Sequence, residues 1–154
     1  MRKSFVLAFA FVVAMTLQVL GQTSSSQTSS AQNSAKKTEE VFPNIKKLSF
    51  HEIDSFLDKF TNAVVLDVRK PEEAVQTGTF KGAINIPIDQ LEQRLSEIPK
   101  DRFVLPFSNH AARASKAADL LEKHGYRIAG AAGVQTYAAD GGTKYLVPPV
   151  SARK

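Results

Sequence analysis

The residues able to do chemistry gather in two short stretches. Ser108-Asn109-His110-Ala111-Ala112-Arg113 sets a hydroxyl, an imidazole and a guanidinium close together, and Asp67-Val68-Arg69 sets a carboxylate beside a second guanidinium. A serine beside a base can act as a nucleophile, which makes Ser108 with His110 a hydrolase candidate. Residues two apart on a loop seldom align for proton transfer, however, and no G-x-S-x-G elbow raises the serine. Arg113 could clamp an anion through charge-assisted hydrogen bonds, or it could be a solvated helix arginine. Asp67 and Arg69 read as a supporting ion pair at the mouth of the loop. Glu72 and Glu73 follow Pro71 and read as acids at the positive end of a helix dipole. His51, His110 and His124 are scattered and offer no metal-ligand spacing. No cofactor is implied. The 154 residues include no cysteine, so thiol chemistry is excluded.

Those residues need a frame. Ser49-Phe-His-Glu52 has the form of a capping box, with Leu48 and Ile53 placed as a hydrophobic staple. Ile53, Phe56, Leu57 and Phe60 then follow the spacing of a core-facing helix. Ala63-Val-Val-Leu66 is a β-prone run suited to a strand buried on both faces. Pro71 opens a short helix, Ala83 to Ile86 forms a strand, and Asp89 to Glu92 opens a helix facing the core with Leu91, Leu95 and Ile98. Phe103 to Phe107 is a third strand, with Phe107 read as core. A helix from about Ala112 to His124 turns Ala114, Ala117, Ala118 and Leu121 inward and stops at Gly125. Tyr126-Arg-Ile128 is a fourth strand. Strands alternating with helices predict an α/β fold, a central parallel sheet with helices on both faces.

The N-terminus has a different character. Arg2 and Lys3 precede the apolar run Phe5 to Met15, which softens towards Gly21. This is the pattern of a secretory signal cleaved after Gly21, with an uncleaved span as the alternative. Residues 22–40 are rich in Ser, Thr and Gln and read as a flexible linker. The folded domain is expected over 41–147, with a tail at 148–154. Cleavage implies a periplasmic or secreted protein with no stable membrane anchor. The net charge of +5 falls to +3 once Arg2 and Lys3 are lost, leaving 18 basic against 15 acidic residues. The charges are interspersed, with no basic run longer than two, whereas a nucleic-acid binder would want a clustered basic face, so no nucleic-acid partner is expected.

Two segments carry a resemblance. Val65-Leu-Asp-Val-Arg-Lys-Pro-Glu-Glu73, followed by Gly78-Thr-Phe-Lys-Gly-Ala-Ile-Asn-Ile-Pro87, resembles the paired signatures of the rhodanese-like family. Phe103 to Ala118 is similar to that family's strand, active-site loop and helix. Val134 to Tyr137, with Gly141-Gly142, weakly echoes its closing segment, where a tryptophan commonly replaces Tyr137. The resemblance implies a compact α/β domain passing sulfane sulfur through a cysteine persulfide. That persulfide sits among backbone amides at a helix N-terminus, where negative charge is favoured.

The pattern departs at the loop itself. Counting back from Arg113 places Ala111 at the family's glycine and Ser108 at its cysteine. A hydroxyl carries no stable persulfide, and alanine is expected to oppose a turn with φ > 0. Pro106 is unusual in a central strand, and Thr79 stands where the family often has histidine. The sequence therefore predicts no catalytic residue and an anion-binding loop of Ser108, Asn109, His110, Ala111, Ala112 and Arg113, supported by Asp67 and Arg69. Its ligand would be a small oxyanion (sulfate, thiosulfate or phosphate) or a protein partner. A sulfurtransferase-related enzyme and a Ser108 hydrolase are the alternatives.

Overall fold

The computed structural model describes residues 42–150. The apolar run, the cleavage point, the polar stretch up to Glu40 and residues 151–154 lie outside them.

Ser49 caps the first helix, α1 (Phe50–Lys59), with both halves of the capping box formed: Ser49 N–H donates to Glu52 Oε2 at 3.0 Å, and Glu52 N–H donates to Ser49 Oγ at 3.4 Å. The chain then runs through β1 (Val64–Asp67), α2 (Pro71–Thr77), β2 (Thr79–Phe80) and β3 (Ile84–Asn85). Beyond a 3-10 helix (Leu91–Glu97) come β4 (Phe103–Ser108), α3 (Ala112–Lys123) and β5 (Arg127–Ile128). β6 (Ala132–Gly133), α4 (Val134–Ala139) and β7 (Leu146–Val147) complete the described chain. The main sheet is parallel in the order β3-β1-β4-β5, and β6 also pairs with β4. β2 and β7 form a separate antiparallel pair.

The two central strands divide the core by parity, because successive strand side chains point to opposite faces. Val64, Leu66 and Val104 pack with Leu91, Ile98, Ala117 and Leu121, under the 3-10 helix and α3. Val65, Leu105 and Phe107 pack with Ile53, Leu57, Phe80, Val134 and Tyr137, under α1 and α4. The α/β architecture with helices on both faces is therefore as predicted.

Three local readings need correction. The helix expected after Asp89 is present as two short 3-10 segments within residues 91–97, divided by a kink at Arg94 (φ −113°, ψ 17°). Leu91 and Ile98 are still buried, so the core face survives the change. The short elements β2, β6, α4 and β7 have too few residues to show a period and were not predicted. Pro106 is central after all. Val104 C=O accepts from Ala129 N–H on the β5 side, so strand parity turns the Pro106 nitrogen to that same side. It falls between the last β5 pairing at Val104 and the first β6 pairing at Phe107, where no ladder bond is required of it.

Phe107 has no solvent exposure and meets Phe80 edge-on at 4.8 Å between ring centroids. Phe107→Ala is expected to cost about 3–5 kcal/mol of stability, the usual range for an emptied aromatic site. Urea unfolding followed by circular dichroism reads this directly, and a loss below about 1 kcal/mol would mean the core there is loosely packed.

Candidate functional site

Because β1 and β4 are parallel neighbours, their C-terminal ends emerge together, with Asp67 opposite Phe107. Everything following either strand therefore meets at one edge, the usual place for a site in an open parallel sheet.

Arg69 organises that edge. It is fully buried, and a buried charge is tolerable only when paired and hydrogen-bonded. Nε donates to Asp67 Oδ1 at 2.8 Å and Nη2 to Asp67 Oδ2 at 2.6 Å. Nη2 also donates to the carbonyl of Gly78 at 2.9 Å, while Nη1 donates to Thr77 Oγ1 at 2.7 Å and Asn109 Oδ1 at 2.8 Å. Every N–H of the guanidinium fork has a partner. Asp67 additionally accepts from the Arg69 backbone N–H at 3.0 Å and from Thr79 Oγ1 at 3.4 Å. Thr79, in the slot where the resemblance suggested histidine, thus serves the same carboxylate. The predicted supporting pair is present, and it is the centre of a network rather than a rim contact.

The second arginine has a fixed partner. Arg113 Nη1 donates to Glu73 Oε2 at 2.7 Å and Nη2 to Glu73 Oε1 at 2.6 Å, a two-pronged pair joining α3 to α2. Asn109 Nδ2 donates to Glu73 Oε1 at 2.9 Å, which links this pair to Arg69. Glu73 Oε2 also accepts from the Lys70 N–H at 3.1 Å, so its helix-start role is real but secondary. Arg113 is accordingly not a free anion clamp, because a carboxylate of the chain already occupies its fork. Arg113 holds the Glu73 carboxyl at a pKa of about 2, well below the usual 4.5, and Glu73 raises Arg113 in return. This pairing of Glu73 was not legible in the sequence, since its partner lies 40 positions away.

Ser108 ends β4 with 1% of its surface exposed. Its Oγ accepts from the Ala114 N–H at 3.3 Å, filling the role of a helix cap for α3. The formal cap residue, Ala111, adopts φ 67°, ψ −11°. Alanine therefore makes the left-handed turn it was expected to oppose. Two features hold it there: its methyl packs with Ile45, Ala114, Ala118 and Ala131, and β6 presses on the loop from beneath. A Cβ built on Gly133 would lie 2.9 Å from Thr136 Oγ1, 3.0 Å from Asn109 O and 3.1 Å from Ala111 N, so a side chain there would require these neighbours to shift. Gln135 N–H also donates to Asn109 O at 3.1 Å. His110 is exposed and makes no hydrogen bond to Ser108 among the described residues, so the hydrolase pairing is not assembled.

What this geometry offers is a set of donors. Among the described residues, no protein acceptor meets the backbone N–H groups of His110, Ala111, Ala112 and Arg113, and nothing accepts the Ser108 hydroxyl proton. No group of His, Asp and Glu among the described residues could hold a metal ion.

Two expectations follow. Glu73 has a depressed folded pKa, so its contribution is present above about 4.5 and lost as pH falls towards about 2. The stability gap between wild type and Glu73→Gln should therefore narrow over that window in acid denaturation; a gap independent of pH would show the pair to be energetically idle. At position 111, Ala111→Gly relieves a left-handed cost of about 1–2 kcal/mol. It also forfeits about 0.8 kcal/mol of methyl burial and about 0.5–1 kcal/mol of chain entropy. Thermal melts should find it within about 1 kcal/mol of wild type, with the β-branched Ala111→Val clearly destabilised.

Comparison with known proteins agrees with this geometry. Residues 49–145 match the family described as Rhodanese-like domain. A Bacillus subtilis protein called YqhL is 38% identical over 72 residues, which is 47% of this chain and 56% of that protein. A protein from Allochromatium vinosum described as a sulfurtransferase is 35% identical over 65 residues, 42% of this chain and 60% of that protein. The match thus spans less than two thirds of either relative. A crystal structure of a rhodanese-related protein from Thermoplasma volcanium superposes with a TM-score of 0.58 at 24% identity. It covers 66% of this chain and 97% of that one, which establishes the shared fold. With the parallel sheet, the strand-to-helix loop and the family pattern in agreement, this chain belongs to the rhodanese-like domain family.

Proposed function

We propose that this chain is an exported rhodanese-like domain that transfers no sulfur and uses the loop from Ser108 to Arg113 to hold a small oxyanion such as sulfate, thiosulfate or phosphate. The observation that carries this reading is the unmatched set of donors: a buried serine hydroxyl and successive backbone N–H groups at the start of α3. Donors aimed at one place, at the positive end of a twelve-residue helix, favour negative charge there. The sulfurtransferase function of the Allochromatium vinosum relative would need a thiol, and Ser108 stands where the family carries it. Residue 108 here caps a helix, a task a hydroxyl performs well and a persulfide cycle does not need. Binding of a protein partner through the same loop is the second reading, favoured by the exposed His110 at its tip.

With Arg113 already held by Glu73, the loop relies on backbone and dipole. A helix terminus contributes about 0.3–1 kcal/mol towards an exposed charge and up to about 2 when partly buried. Binding should therefore be weak, on the order of millimolar or above, and weakened further by salt.

An NMR titration with sodium sulfate against sodium chloride at matched ionic strength tests the cradle. Saturable shifts confined to the amides of Asn109 to Arg113 support it. Shifts spread evenly over the surface would remove it. Parallel assays with thiosulfate and cyanide should give no thiocyanate from wild type. Ser108→Cys should give some, since Ala111 already makes the required turn. Turnover by wild type would overthrow the reading of this loop as non-catalytic.

A further inference from the structure

The end of the sheet opposite the loop carries a feature that the loop does not explain. β4 rises about 3.3 Å per residue, so Phe103 begins the strand about 17 Å from Ser108. At that end two half-buried rings, Phe60 and Phe103, meet at a tilt of 50° with centroids 4.6 Å apart, and Phe56 packs against both. A cation covers each outer side: Lys59 Nζ lies 5.4 Å from the Phe60 centroid, and Arg127 Cζ lies 4.8 Å from that of Phe103. Lys100 and Arg102 flank Phe103 in the turn leading into β4, and both are exposed, as are Lys59 and Arg127. Lys100 is held over Tyr126 at 5.3 Å and donates to the His124 carbonyl at 3.3 Å, while Arg127 bonds the Asp101 carbonyl.

Cations outnumber acids here. Asp101 and Glu122 are the exposed carboxylates nearby, while Asp58 and Asp119 are already bonded to Lys144 and Lys123. We propose that the face formed by Lys59, Phe60, Lys100, Arg102, Phe103 and Arg127 is a docking surface for an anionic phospholipid bilayer. Charge complementarity selects an anionic partner, and the layout selects a plane. The basic groups come from the end of α1, the turn before β4 and the start of β5, segments that meet at one end of the sheet, with Lys59 over Phe60, Arg127 over Phe103 and Lys100 over Tyr126. A cavity of about 350 Å³ does exist, but it lies between Ile88, Glu92 and Leu120 on another face. A sheet of lipid head groups meets all four cations at once, with the aromatic rings at the level of the interface. Docking by this end would turn the Ser108 loop away from the lipid and towards solvent.

Each basic group near an anionic bilayer contributes roughly a fivefold preference. The test measures partitioning of the full chain onto vesicles of phosphatidylcholine with and without phosphatidylglycerol. The readout is the anionic-over-neutral ratio of each variant relative to wild type, in which the N-terminal run, with Arg2 and Lys3, cancels because every form carries it. The variant Arg102→Gln with Arg127→Gln should lower that ratio by about 25-fold on the same scale. Lys59→Gln with Arg102→Gln, which leaves the Arg127 contacts intact, should do the same. Lys81→Gln, outside this face, should hold the wild-type ratio, and unchanged melting temperatures confirm that the variants fold. An unaltered ratio in both double variants would overturn the proposal, as would an equal loss in Lys81→Gln. So would indifference to vesicles combined with residue-dependent binding of a polyglutamate peptide, which would assign the face to an acidic protein segment instead.

Discussion

A buried guanidinium constrains this structure more than any other group. Arg69 has no contact with water, and every one of its donors must therefore find an acceptor inside the protein. Asp67 supplies two, Thr77 and Gly78 fix the end of α2, and Asn109 fixes the loop after β4. Moving any of these segments would strand a donor in a low-dielectric interior. Removing one partner of such a buried pair typically costs about 3–5 kcal/mol. The mouth of the site is thus rigid because one charge cannot be left unpaired. Asn109 then transmits that rigidity to Glu73 and Arg113, so two helices and two loops share a single hydrogen-bonded chain.

The loop inherits its shape from this frame rather than from its own residues. Local preference would place glycine at 111, yet alanine sits there with positive φ. Its methyl is buried against Ile45 and Ala131, and that burial offsets much of the left-handed cost. Gly133 matters beneath it, because a Cβ there would crowd Thr136, Asn109 and Ala111. The contribution of glycine is displaced from the turn itself to the strand beneath it, where Gly133 has an ordinary φ of −117° and supplies room rather than conformational freedom.

That displacement explains what the sequence revealed and what it concealed. The long periodic segments were legible: the capping box at Ser49, the inward face of α3, and the apolar runs of β1 and β4 all carry their own signals over several residues. β2, β6 and β7 are two residues each and exist only because a partner lies beside them. The Asp67–Arg69 pair was visible because its members are two apart. Glu73 with Arg113 was not, because local chemistry already accounted for an acid after Pro71. Likewise alanine at 111 argued against a tight turn, and only the packing around its methyl shows why the turn persists. Pro106 looked misplaced in a central strand until the strands on its far side were seen to leave a gap.

The same separation accounts for how a fold associated with thiol chemistry stands without a thiol. None of the bonds from Asp67 through Arg69, Asn109 and Glu73 to Arg113 involves the side chain at 108. The scaffold energy and the reacting atom are therefore independent, and the reacting atom is replaceable at little cost. Replacement still had to satisfy one condition, because position 108 is buried beside the unpaired N–H groups that start α3. An apolar side chain would have left the Ala114 donor without a partner, whereas a hydroxyl accepts from it at 3.3 Å. Serine keeps the helix capped through that single accepted bond. The frame around position 108 therefore stands on bonds that a hydroxyl and backbone amides complete, with no thiol needed to hold the loop or the start of α3 in place.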